Sequence, residues 1–116
     1  MLRGQVWLIN LDPTLGAEIR KSRPAVIVSS DAIGVLPLRV IAPLTDWKGH
    51  YQQAEWMVKI SPNAANGLAK DSAVDTFQIR SVSTSRFIRK MGELTWDEID
   101  TIVHAIGLVI EYPPMD

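Results

Sequence analysis

Hydrophobic positions along the chain come in short dense blocks separated by turn chemistry, and only the last block has helical spacing. The first, Gln5-Val6-Trp7-Leu8-Ile9-Asn10-Leu11, is β-branched, aromatic and aliphatic and stops at Asp12-Pro13, which predicts a strand over 5–11. A polar loop of about a dozen positions follows, longer than an ordinary hairpin connection, and long loops tend to carry function. Later blocks predict strands over 25–30, 38–42, 56–60 and 87–91, the second of them bracketed by Pro37 and Pro43. Thr45-Asp46 then opens a polar, aromatic-containing loop that runs through Gln53. The longest block, 72–82, places Val74, Phe77 and Ile79 too irregularly for strict alternation, which points to a central strand that is twisted or bulged.

The final block is different. Thr95-Trp96-Asp97-Glu98 has the capping-box pattern, in which the threonine hydroxyl accepts from the backbone N–H three positions on while the glutamate reaches back. Ile99, Ile102, Val103, Ile106, Val109 and Ile110 follow at mostly three- and four-residue spacings, and Pro113-Pro114 ends the run. About six short strands closed by one amphipathic C-terminal helix predict a mainly β fold, a small and strongly curved sheet or barrel. A doubly wound fold would need several crossover helices, which the pattern lacks.

Composition narrows the class. A chain of 116 residues fits one domain, 1–116, and 47% hydrophobic with 22% charged residues is ordinary for a soluble globular protein. No apolar run approaches a membrane span, and Gln5, Asn10 and Asp12 interrupt any signal-peptide core, so a cytoplasmic location is expected. The absence of cysteine removes disulfides, thiolate catalysis and cysteine-ligated metal together. With a net charge of -1, any contact with nucleic acid has to come from local clusters.

One such cluster is Arg20-Lys21-Ser22-Arg23-Pro24, three cations in four positions at the hinge between the long loop and a strand. Arg23 stands at the mouth of that strand, where a guanidinium fork is suited to gripping a phosphate through two oxygens. Composition alone favours a plainer role, an ion pair with Asp12 or Glu18. Thr45, just beyond the predicted strand 38–42, offers a hydroxyl to a phosphate oxygen, although threonine is common at strand ends. Gln78 and Arg80 alternate on one face of 72–82, with Asp75 at the other parity beside Phe77 and Ile79. Burial would raise the Asp75 pKa and an arginine would lower it, so it is either a functional carboxylate or a structural partner of Arg23 or Arg80. Trp47-Lys48-Gly49-His50-Tyr51 combines aromatic and cationic side chains that can stack on unpaired bases, or else forms a solvated loop with half-buried rings. His104 falls on the polar side of the helix and reads as a surface residue. Two separated histidines without matching carboxylates give no metal site, and no phosphate-cradling glycine motif or nucleophile elbow is present.

Arg3-Gly4-Gln5-Val6-Trp7-Leu8-Ile9-Asn10-Leu11-Asp12-Pro13-Thr14, Gly16-Ala17-Glu18, and Ser22-Arg23-Pro24-Ala25-Val26-Ile27-Val28-Ser29 together resemble the MazF/PemK toxin family. The likeness continues through Pro43-Leu44-Thr45 and Gln78-Ile79-Arg80-Ser81-Val82, so it covers essentially the whole chain. It implies a small SH3-like barrel of the CcdB/PemK type, a homodimer, and cleavage of single-stranded RNA at short sequences without a metal or other cofactor. It also implies a cognate antitoxin whose disordered segment wraps the toxin and covers the site. By motif position Arg23 and Thr45 match the family's catalytic arginine and hydroxyl residue, and Gln78 and Arg80 match the strand motif near the substrate groove. Arg20 and Lys21 become backbone-steering cations on a mobile gate, and Trp47 and His50 join them as RNA-binding residues. The chain departs from the pattern at Ala17, where the PemK branch has a histidine, and at Phe77, where many members have an acid. A histidine-and-carboxylate mechanism therefore does not transfer, and Asp75 is the expected general base for attack by the 2′-hydroxyl. The rival reading is a non-enzymatic CcdB-like toxin that poisons gyrase through a surface, or a cleavage-dead binding module of the same fold.

Overall fold

The first apolar block forms β1 (Gln5–Asn10), which pairs antiparallel with β2 (Ser22–Ile27), and β2 in turn pairs with β3 (Leu38–Asp46). These three strands are buried on both faces, which is why their sequences read as nearly continuous apolar runs. Val6, Val26, Ala42 and Leu44 point into one core, while Ile9, Ala25, Ile27 and Ile41 point into a second core on the opposite face. The computed structural model describes residues 1–114.

Beyond the central strands lie β4 (Met57–Ile60), β5 (Ser72–Asp75), β6 (Arg80–Ser83) and β7 (Phe87–Glu93). All pairings are antiparallel, in the order β4-β5-β3-β2-β1-β7, with β6 beside β3 as well. The sheet curls like a barrel without closing: among the described residues β4 and β7 end its main path, and β6 pairs with β3 alone.

Most expected boundaries moved by one to three residues, β2 ending at Ile27 and β7 running on to Glu93, and three of the changes shape the site. The block 72–82 is two strands rather than one: β6 pairs with the first half of β3 and β5 with the second half. Between them Thr76–Gln78 makes a 3-10 turn, started by the Asp75 carboxylate, which accepts from the Phe77 N–H at 3.1 Å. Pro43 does not end β3, because it sits between the last rung to β6 and the first rung to β5, where a missing N–H is tolerated. Strand β2 begins at Ser22 rather than 25, since Ser22, Arg23 and Pro24 already pair with Asn10, Ile9 and Leu8.

The helix α1 (Trp96–Ile110) has the expected capping box, with the Glu98 N–H donating to the Thr95 hydroxyl at 3.1 Å and the Thr95 N–H to the Glu98 carboxylate at 2.9 Å. It ends one residue before Glu111, which takes a left-handed conformation at φ 60°. Ile99, Ile102 and Ala105 cover the first core, and full burial contributes about 1.5–3 kcal/mol for each isoleucine before ordering entropy is subtracted. Val103 and Ile110 of the predicted stripe are exposed instead, because the sheet is met by a narrower face of the helix. Behind β7, the loop 61–71 approaches backbone to backbone. A Cβ on Gly67, at φ 68°, would lie 2.1 Å from the Met91 carbonyl oxygen, and one on Gly92 2.3 Å from that of Ala65.

Candidate functional site

The β2–β3 register runs from Ile27 opposite Ile41 to Ala25 opposite Pro43, and just past its last rung stand Arg23 on β2 and Thr45 on β3. Both side chains line a cavity of about 290 Å³, together with Ser22, Asp46, Lys70 and Ser72. Arg23 and Thr45 are therefore inside strands, not at a strand mouth and beyond a strand end as the turn signals implied. Rigid ladders on both sides hold them half-buried and facing the same space. The Arg23 Nε donates only a long hydrogen bond, 3.4 Å, to the carbonyl of Arg20. Among the described residues no carboxylate pairs with it, so the expected ion pair with Asp12 or Glu18 is not formed. The same wall carries an ion pair, Lys70 Nζ to Asp46 Oδ2 at 3.0 Å. Neither was singled out from sequence. Asp46 had a local signal, standing next to Thr45 at the strand end, whereas Lys70 arrives through the tight packing of Gly67 and Gly92, which no local pattern reveals.

A second cavity of about 450 Å³ lies on the other side of Pro43, lined by Leu11, Ala17, Glu18, Ile19, Phe77, Gln78, Ile79 and Arg80. Gln78 and Arg80 do come together here, but from the 3-10 turn and from β6 rather than from one continuous strand face. The Gln78 side chain holds the long loop by both ends of its amide: Oε1 accepts from the Ile19 N–H at 2.5 Å and Nε2 donates to the Ala17 carbonyl at 3.2 Å. Arg80 donates to the Leu11 carbonyl at 3.1 Å, and Arg86 to the carbonyls of Asn10, at 3.2 Å, and Asp12. Three guanidiniums thus converge on the roots of one loop, and among the described residues none is paired with a carboxylate.

Asp75 lines neither cavity. It is buried, and burial pushes its carboxyl above the ordinary range against the opposing pull of hydrogen bonds from the Phe77 and Gln78 backbone and the Gln78 side chain. No ion pair links it to Arg23 or Arg80 among the described residues. Arg20 and Lys21 are exposed on the loop and line neither cavity. The backbone of Lys21, at φ 69°, is fastened by its N–H to Asp12 Oδ1 at 3.1 Å and by its carbonyl to the Leu11 N–H at 2.9 Å. Trp47 and His50 flank Tyr51, with ring centroids 5.9 and 4.6 Å from it, Lys59 lies 5.4 Å above Trp47, and this cluster also stands apart from both cavities. His104 is the expected surface residue, beside Asp100. Among the described residues no group of three or more histidine or acidic side chains is placed to hold a metal.

The sequence model for PemK-like, MazF-like toxins of type II toxin–antitoxin systems matches residues 2–110. The chain belongs to this family. It is 28% identical to the endoribonuclease MazF9 of Mycobacterium tuberculosis across 96% of this chain and 97% of that protein. A MazF structure from Deinococcus radiodurans superimposes with a TM-score of 0.79 at 24% identity, each chain covered to 96%. An endoribonuclease from a mycobacterial species, solved with its cognate antitoxin, does so with a TM-score of 0.76 at 22% identity and 97% coverage of both chains. Ala17 and Phe77, the two departures from the MazF/PemK pattern, line the same larger cavity.

Proposed function

We propose that this toxin is an endoribonuclease that cleaves single-stranded RNA in the cytoplasm, acting as a homodimer and held inactive by a cognate antitoxin. The carrying observation is the Arg23–Thr45 pair, brought from β2 and β3 to the wall of one cavity where, among the described residues, no carboxylate holds the arginine. Family membership and the named activity of the relatives support the reading.

In the reaction the 2′-oxygen of the RNA forms a bond to the adjacent phosphorus and the bond from phosphorus to the 5′-oxygen breaks. This leaves a 2′,3′-cyclic phosphate and a 5′-hydroxyl. Arg23, a fixed cation, stabilises the charge on the phosphorane, with the Thr45 hydroxyl donating beside it. For proton transfer the geometry favours Asp46 over Asp75, because Asp46 is on the cavity wall and Asp75 is not. Asp46 takes the 2′-proton and Lys70, its ion-pair partner, supplies one to the leaving 5′-oxygen. D46N is then expected to alter the acid limb of the pH–rate profile while D75N leaves it in place. Arg20 and Lys21, exposed and outside the cavity, steer the phosphate backbone toward it.

The deciding experiment incubates the purified protein, in chelator, with an RNA and with a copy lacking 2′-hydroxyls. RNA should be cut to cyclic-phosphate ends and the deoxy copy left whole. A protein-binding toxin of the same fold has no need of the Arg23–Thr45 pair and would leave both intact. Cleavage of the deoxy copy would overturn the 2′-hydroxyl mechanism.

A further inference from the structure

We propose that Phe77, braced by Trp56 at the larger cavity, is a stacking platform for one unpaired base of the RNA, a base-binding subsite distinct from the Arg23–Thr45 pair. The inference rests on the RNA-cleavage reading above.

Phe77 is 66% exposed although it lines a cavity, and Trp56 beside it is 42% exposed. This exposure does not come from a loose segment. The Asp75 carboxylate caps the Phe77 amide, and Thr76 donates twice to the Trp56 carbonyl, from its N–H at 3.0 Å and its hydroxyl at 2.6 Å. Those bonds tie together the two short segments that carry the rings, whose centroids stand 6.4 Å apart at 68°. An edge-to-face pair uses at most one face of one ring, so at least one face of Phe77 is left without an aromatic partner. A rigid, solvent-facing ring of this kind suits a nucleobase, which adds a second π-face at little conformational cost.

The surroundings favour a nucleic acid over an apolar peptide. Arg23, Arg80 and Arg86 lack carboxylate partners among the described residues, and uncompensated cations match a polyanion. Glu18, the acid on the cavity wall, is suited to accepting from the exocyclic amine of a base. Position fits too. Pro43 borders the larger cavity and Thr45 the smaller, two residues apart on one face of β3 and hence about 7 Å. A base on Phe77 therefore lies within reach of a strand whose phosphate is at Arg23.

The test measures affinity by fluorescence anisotropy for a single-stranded RNA whose 2′-oxygens are methylated, so that it binds without being cut, and repeats it with one abasic position moved along the strand. Phe77→Ala should weaken binding about 5- to 150-fold, and Phe77→Trp should restore it. One abasic position should weaken the wild type yet make no further difference in Phe77→Ala. Unchanged affinity in Phe77→Ala, a loss spread evenly over all positions, or a change in oligomeric mass on sedimentation would each overturn the platform. Wild-type cleavage of unmethylated RNA is followed in parallel: if the wild type neither binds nor cleaves, the RNA reading itself fails, whereas full wild-type activity with an indifferent Phe77 removes only the subsite.

Discussion

The two cavities on either side of Pro43 differ in what their polar groups are already bonded to. In the smaller, Arg23 has one long hydrogen bond to a backbone carbonyl, and the Thr45 hydroxyl has none among the described residues. In the larger, Gln78 is bonded at both ends of its amide to the long loop and Arg80 to the root of that loop. Donors without strong partners are available to an incoming oxyanion, while donors already engaged shape the wall the ligand meets. On the proposed reading the chemical step belongs to the first cavity and the grip on the strand to the second.

That division is most exposed to removal of the arginine. Arg23→Ala should lower the single-turnover cleavage rate about 100- to 1000-fold, the range for a lost oxyanion donor, with little change in melting temperature. A larger loss from Arg80→Ala would reverse the roles of the two cavities. Next comes Thr45→Val, which removes a donor to a charged oxygen at nearly constant volume and should slow the same step by about tenfold or more. Rates that stay within twofold would leave Thr45 a strand residue only.

On the other side of Pro43, Gln78→Ala should act on the loop rather than the reaction. The Ile19 amide loses its acceptor, so its hydrogen exchange should speed up by about fivefold, the worth of one ordinary hydrogen bond, and RNA affinity should change more than the rate of the bound complex. Protection of Ile19 unaltered in that variant would mean the loop is held by something else.

The smallest effect expected is on stability. Because burial raises the Asp75 pKa in the fold above its ordinary 3.8, the folded state binds the proton more tightly than the unfolded chain does. Its stabilising contribution is present at low pH and declines as pH rises through the folded-state value. Asp75→Asn keeps an acceptor for the Phe77 N–H and removes this titration, so its stability relative to the wild type should increase from pH 4 to pH 7 in urea unfolding. The opposite slope would reveal a cation beside Asp75 and would bring it back toward the reacting groups.

Much of this was legible before folding. The capping box, the isoleucine spacing that begins α1, the strand blocks and the cationic Arg20–Arg23 cluster are patterns within a few residues, and local hydrogen bonding and side-chain periodicity act over that range. What eluded local reading depends on partners far along the chain. Pro43 looked like a strand end, and becomes an interior residue only because β6 and β5 share one side of β3 and leave a gap there. The same sharing breaks 72–82, turns Phe77 outward, and takes Asp75 off both cavity walls.

By itself, then, the sequence determined the mainly β class, the capped helix, the family and the two residues at the head of the proposed chemistry. Only the tertiary structure decided that Arg23 and Thr45 share one cavity wall, that Lys70 and Asp46 join them, and that Gln78 is bonded to a loop about 60 residues away. The physical reason is the register of β3. Each of its rungs is a long-range hydrogen bond whose partner no local pattern names, and a shift of one residue would turn every side chain to the opposite face.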